Sequence, residues 1–403
     1  MKKCHVALAL AVAACSAGLT SAARASDAGL SLEPVYAQDA SRTGLNSALD
    51  KVGIGSTLQD AGINVGGWAE GSLTYSTSAP PGNIITGRAF DFEHEDPTLN
   101  QVALWVEKTT DFAKAWDLGF RIEGGWGGDY RFTASNGMDL QVGATPQEQF
   151  DITQAYAEVV VPLGTGLKVK VGKFITPLGW EYVNPTLNAF YSHSYLFGLL
   201  PYSHTGVTGT YQLSDKMLVT LGFSRGWDQS LKDNNDDALD VLGAIAYTID
   251  EKTSLFVNFT WGPEGIDPGY YKLAIDTSVS RVVSDQLTLV LNGVYVYDAG
   301  ASQTGDGANT FGLAGYATYT LSDMFALNGR VEWMNDEMRA GGFDTNIYEA
   351  TAGVTITPFP SDALASGFKI RPEVRFDYAH DQVFDAGSQN TQWTGAIEAY
   401  FKF

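Results

Sequence analysis

The chain has 403 residues, 25 basic against 46 acidic, and is 44% hydrophobic and 12% aromatic with 44 glycines. Both cysteines, Cys4 and Cys15, fall at the very start, so the rest of the chain has no thiolate for a disulfide or a metal centre. Setting aside the bases of the first 25 residues (Lys2, Lys3 and Arg24) leaves a balance of −24, which argues against recognition of nucleic-acid phosphates.

Residues 1–25 read as a secretory signal. Lys2 and Lys3 precede an apolar run from Val6 to Leu19, and Ala23-Arg24-Ala25 is a small-x-small cleavage site before Ser26. The competing reading is a lipoprotein signal ending at Cys15 after Val12-Ala13-Ala14. Residues 26–61 form a periplasmic leader. Within it Leu45, Ala48, Leu49 and Val52, at i, i+3, i+4 and i+7, predict one short amphipathic helix, read as a tether rather than as a helix resting at the periplasmic mouth of the strand region.

From Ile63 the chain alternates apolar and polar residues to its last residue. Ile63–Tyr75 sets Ile63, Val65, Ala69, Leu73 and Tyr75 against Asn64, Trp68, Glu70, Ser72 and Thr74. Leu99–Lys108, Leu118–Trp126, Ile152–Val161 and Leu167–Phe174 continue the pattern. After a long interruption come Thr205–Leu213, Met217–Trp227, Leu239–Ile249, Leu255–Trp261, Tyr271–Val282 and Leu287–Tyr297. Phe311–Leu321, Phe325–Met334, Ile347–Thr357, Phe368–Tyr378 and Thr391–Phe403 complete the set. No stretch of about eighteen apolar residues comes after the signal, so a spanning helix is not expected. Most segments instead approach the 9–11 residues or so that a tilted strand needs to cross hydrocarbon.

The connections fall into two kinds. Ser214-Asp215-Lys216, Asp250-Glu251-Lys252, Ser284-Asp285-Gln286 and Ser322-Asp323-Met324 are tight turns. Ser76–Thr98, Gly127–Asp151, Asp228–Ala238, Ala299–Thr310, Asn335–Asn346 and Ala379–Asn390 are long and polar. Strands approaching the long loops end in aromatics on the apolar face: Tyr75, Trp126, Trp227, Trp261, Tyr297, Trp333 and Tyr378. Such a girdle belongs where amphipathic rings meet lipid headgroups. The prediction is an all-β, transmembrane, antiparallel up-and-down β-barrel of about sixteen strands over residues 62–403, with short periplasmic turns and long extracellular loops.

On the polar face acids and bases nearly balance. A ladder such as Lys369-x-Arg371-x-Glu373-x-Arg375-x-Asp377 would cost about 2–4 kcal/mol per midplane base against lipid, so it must face a lumen. Arg121, Lys168, Lys170, Arg330, Lys369, Arg371 and Arg375 are the expected wall bases. The interruption over 175–204 does not alternate. It is aromatic, carries Pro177, Pro185 and Pro201, and holds His193 and His204. It is expected to fold inward as the constriction, with Glu181 as its acid. Gly222-Phe223-Ser224-Arg225-Gly226 spells the nucleophile-elbow pattern but lies in a strand with no helix after it, a chance match.

Two stretches resemble a known family. Gly62-Ile63-Asn64-Val65-Gly66-Gly67-Trp68-Ala69-Glu70-Gly71 with Leu99-Asn100-Gln101 is one. The other is Gly172-Lys173-Phe174, Pro177, Gly179, Glu181, Asn188, Tyr191-Ser192, Ser194-Tyr195 and Pro201 to Val207. Together they are similar to the bacterial OmpL-like β-barrel porins, the second such porin family. The resemblance implies an outer-membrane pore and carries no catalytic residues. The terminal Phe403 on an amphipathic strand resembles the signal that such barrels present to their assembly machinery. The expected function is passive diffusion of small hydrophilic solutes or ions, with a mild cation preference from the acidic loops. A plugged barrel serving as an adhesin or structural protein is the alternative. No enzymatic activity, cofactor or metal is expected. Expected partners are outer-membrane lipids, the assembly machinery and, by analogy with barrels of this size, two further copies in a homotrimer.

Overall fold

The computed structural model describes residues 44–77, 81–138, 148–230, 238–264, 269–300, 307–337, 344–362 and 364–403. The signal over 1–25 and the first part of the leader lie outside them. Two short helices come first, α1 (Gly44–Asp50) and α2 (Gly55–Asp60). Four strands precede the interruption: β1 (Asn64–Ser76), β2 (Thr98–Lys108), β3 (Asp117–Gly127) and β4 (Gln149–Val161), then β5 (Leu167–Ile175) leads into it. Beyond it run β6 (Ser203–Ser214), β7 (Met217–Ser224), β8 (Asp240–Asp250), β9 (Thr253–Pro263), β10 (Tyr271–Val282) and β11 (Leu287–Asp298). The last are β12 (Ala308–Thr320), β13 (Phe325–Asp336), β14 (Asn346–Ile356), β15 (Phe368–Ala379) and β16 (Thr391–Lys402). Each strand pairs antiparallel with its sequence neighbours, and β16 pairs with β1 to close a sixteen-stranded barrel.

Alternation decides which way each side chain faces. Leu104, Leu118, Ile122, Leu221, Leu291, Val331 and Val374 are all more than half exposed, forming an apolar belt that only lipid could cover. The residues between them point into the interior and are mostly polar, with an apolar patch that includes Val290 and Val294. Each tight turn is held by its first residue. Ser214, Ser284 and Ser322 accept through Oγ, and Asp250 through Oδ1, from the N–H two residues on, at 2.8–3.3 Å. At the seam, Phe403 and Gly67 exchange backbone hydrogen bonds of 3.0 Å, so the terminal residue is pinned to the first strand.

Two expectations change. Helix α1 is not a free tether: the buried Asn46 donates to Asn64 Oδ1 and accepts from Val65 N–H, which docks it on β1. Trp227 leaves the girdle. Strand β7 ends at Ser224, and the left-handed Gly226 (φ 113°) and Asp228 (φ 51°) turn the chain inward. The Trp227 ring lies under the Lys272 ammonium at 4.6 Å, and its Nε1 donates to the lumen-facing Thr260. The other girdle positions hold their outward register. Trp261 stacks on Tyr271, Trp333 packs edge-on against Phe311, and Tyr378 lies against Tyr348. Tyr75 is 53% exposed, Trp126 pairs with Val102, and Tyr297 pairs with Leu273.

Candidate functional site

The segment from Thr176 to Tyr202 leaves β5 and returns to β6 at the outer rim, where Thr176 N–H bonds to Tyr202 O at 3.0 Å. Between these points it lies inside the barrel. Pro185–Leu187 forms one 3-10 turn capped by Asn184, and Tyr195–Gly198 one helical turn, α3, capped by Ser194. Asn188 clamps the segment on itself, accepting from Tyr182 N–H at 2.9 Å and donating to Tyr182 O at 2.7 Å.

Lumen side chains hold this segment by its main chain. Arg371 Nη2 donates to Pro185 O at 3.0 Å and Nη1 donates to Asn188 O. Asn328 donates to Ala189 O, Arg330 to Ser192 O (2.7 Å) and Arg375 to His193 O. Farther round the same wall, Gln101 on β2 donates to Val183 O at 2.8 Å. Carboxylates take the amides in pairs. Glu373 accepts from Tyr191 and Ser192 N–H at 2.9 and 3.1 Å, and Glu332 from Tyr195 and Leu196 N–H at 2.9 and 2.8 Å. Asp228 accepts from Tyr202 and Ser203 N–H at the exit.

Shape completes the fit. A Cβ on lumen-facing Gly312 would meet Leu196 Cδ2 at 2.3 Å, and one on Gly353 would meet Phe190 Cε1 at 3.1 Å. The two glycines are therefore sockets for buried apolar knobs. Leu178, Leu196, Leu199 and Leu200 also pack against an apolar part of the wall that includes Ala274, Val294, Ala314 and Met334.

The wall bases point into the barrel, where most are taken up by the segment and by carboxylates. Arg330, Arg371 and Arg375 are at most 2% exposed and engage the segment and carboxylates rather than open water. Arg330 pairs with Glu181 (2.7 Å) and Glu349 (3.1 Å), Arg371 with Glu398, and Arg375 with Asp377. Arg121 lies over the Trp105 ring between Glu107 and Glu123. Nearer the periplasm, Lys168 and Lys170 share Glu158, and they, Lys369 and Lys402 remain half-buried.

Glu181 also accepts from Ser194 N–H and Oγ, both at 2.7 Å. Burial works to raise its carboxyl, but Arg330 and these donors hold it below the usual range. His193 stacks on Phe197 at 4.1 Å, and burial lowers its imidazole despite the nearby Glu181. His204 sits at the base of the segment on β6, fully buried, against Thr176 Oγ1 and the Phe174 ring. Burial pushes Asp228 up to about 6 against the amides of Ser203 and Tyr202.

The first outer loop, read from sequence as merely polar, also turns inward. Arg88 donates to Asp377 and Thr394 at 2.8 Å, and Phe90 packs against His193, Phe197 and Tyr202. Sequence reasoning missed Arg88, Glu332 and Glu373 as anchors. It also missed Gly312 and Gly353, although glycine at an inward strand position signals close approach of another group.

The family model described as "Putative beta-barrel porin-2, OmpL-like" matches residues 62–403. No curated protein sequence matches the chain. Among solved structures, the outer membrane channel DcaP of Acinetobacter baumannii is similar at TM-score 0.55 and 12% identity, covering 85% of this chain and 97% of that one. The anion-selective porin from Comamonas acidovorans is similar at 0.59 and 10%, covering 85% and 99%. Pseudomonas putida OprB is similar at 0.56 and 10%, covering 88% and 97%. At such identities these likenesses speak to the barrel alone. The match across the whole barrel decides the family: the chain belongs to the OmpL-like β-barrel porins of the bacterial outer membrane.

Proposed function

We propose that this porin passes small hydrophilic solutes or ions by diffusion, and that residues 175–204 set its narrowest point. The observation that carries this reading is the anchoring of Val183–Leu196 inside the lumen by Gln101, Arg330, Glu332, Arg371, Glu373 and Arg375. The arginines act as loop anchors, with Glu181 bridging Arg330 to Ser194. Acidic outer loops give a mild cation preference, in contrast to the anion selectivity named for the Comamonas porin. Three copies associate through their lipid faces, as the size class suggests. The chain acts as a channel rather than an enzyme, and its close His193–Ser194 pair is structural: Ser194 Oγ donates to Glu181 and caps α3.

Two measurements test this. Deleting Pro185–Pro201 should raise single-channel conductance in a planar bilayer, and an unchanged value would remove the segment from the path. Reversal potentials under a salt gradient should show cation preference, and anion preference would overturn that part. The plugged-barrel reading is favoured by one observation, that the segment is tied at many points along a contiguous arc of the wall from β13 through β16 to β2. Folded, heat-modifiable protein with no conductance would decide for it.

A further inference from the structure

We infer that the lumen wall holding the loop is a binding site for polypeptide backbone, so that short peptides are among the solutes this pore takes. The inference rests on the porin reading and names a solute class for it.

Arg330, Arg371 and Arg375 donate to carbonyls of Pro185, Asn188, Ser192 and His193. Glu373 and Glu332 each accept two consecutive amide hydrogens. Three contacts take loop side chains and suit that loop alone, Glu181 and Ser192 Oγ on Arg330 and Tyr195 Oη on Asp377, but the main-chain contacts outnumber them. Main-chain donors and acceptors are common to every peptide, as in strand-addition recognition, where backbone bonds give affinity and pockets choose side chains. The pockets are present as well: Gly312 seats Leu196 and Gly353 seats Phe190. When the loop leaves, the three guanidiniums keep their wall carboxylates Glu349, Glu398 and Asp377. They lose four carbonyls, however, and the two glutamates lose four amide hydrogens, leaving a row of oriented donors and acceptors facing the lumen. A peptide restores carbonyls to the arginines and amides to the glutamates, and offers apolar side chains to both sockets. The loop is then the tethered occupant, and its local concentration sets how hard a free peptide must compete.

The test uses a full barrel in which Asn184–Gly198 is replaced by a Gly-Ser linker, in a planar bilayer. The probe is acetyl-Asn-Ala-Phe-Tyr-Ser-His-Ser-Tyr-Leu-Phe-amide. It should cause transient, concentration-dependent interruptions of current. The same peptide N-methylated at the first Tyr and Ser and at the second Tyr and the Leu lacks the hydrogens that Glu373 and Glu332 accept. It should block at least about tenfold more weakly. The Glu332→Gln/Glu373→Gln change should weaken the unmethylated peptide likewise, and polyethylene glycol of equal mass should not interrupt the current. Equal block by the methylated peptide, or none by either, overturns the inference while leaving the pore intact. A folded linker variant with no conductance overturns the porin reading and this one with it. Phe190→Ser/Leu196→Ser frees the loop's knobs while keeping every wall residue and the chain length. It is the second variant should the linker barrel not fold, and the same peptides must separate on it.

Discussion

The guanidinium of Arg330 bridges the wall carboxylate Glu349, the loop carboxylate Glu181 and the carbonyl of Ser192. Replacing it with Met leaves the buried Glu181 carboxylate without its guanidinium and Glu349 with only the more distant Arg375 at 3.8 Å, at a cost of about 3–5 kcal/mol. Urea unfolding in detergent should show the loss as a lowered midpoint, with Glu181→Gln on the same background recovering part of it. Two loop carboxylates respond oppositely to pH. Asp228 is raised to about 6, so the folded form binds its proton more readily than the unfolded chain. Its contribution therefore improves as pH falls from about 6 towards the ordinary carboxylate value near 4. Glu181 is lowered, so its contribution is present above the ordinary value and is lost on further acidification through its folded pKa. Asp228→Asn should flatten the rise in unfolding midpoint between pH 6 and 4, and an undiminished rise would assign it elsewhere. At this scale the turn residues were legible in the sequence, because Ser and Asp side chains close a turn locally. Glu373 was read only as one acid of a lumen ladder and Glu332 was not singled out, because their partners lie 136 to 182 positions away in the chain. No local pattern carries that pairing.

Strands were the readable elements. A period of two states which face is which, and a one-residue error would put every charge into lipid. The expected and observed limits differ mainly by one to three residues at the ends. The larger error, Trp227, arose where Gly226 and Asp228 redirect a chain that still alternates in composition. The loop was recognised by its failure to alternate and by its aromatic content, but where it rests depends on sockets in distant strands. Gly312→Val should unseat Leu196, since even a methyl at that position collides with it. The expected result is larger and noisier single-channel currents with an unchanged barrel by circular dichroism. Quiet currents of the original size would show that the loop does not depend on that socket. Gly353→Val should act in the same direction more weakly, because the nearest loop atom stands off at 3.1 Å rather than 2.3 Å.

At the scale of the whole barrel, the charges are sorted along the axis. Exposed Glu95, Glu337, Asp344 and Asp381 crowd the outer rim, whereas Lys168, Lys170, Lys369 and Lys402 ring the lumen near the periplasm. Lys168 and Lys170 share the single carboxylate Glu158, so this inner belt of lysines stays net positive within the lumen although the turns beyond it carry acids. An acidic outer mouth in series with that belt is a pair of oppositely selective resistances. Driving cations inward through the acidic end and anions outward through the basic end fills the middle with carriers, and the reverse voltage empties it. The barrel should therefore rectify, conducting more when the extracellular side is positive, in low symmetric salt where screening is weak. Changing the four lysines to Glu should make the current–voltage curve straight and strengthen cation selectivity. An equally bent curve in that variant would place the asymmetry in the loop instead. Solutes of opposite charge would then meet their harder barrier at opposite ends, so the orientation of the barrel in the membrane decides which sign of voltage drives charged traffic through it more easily.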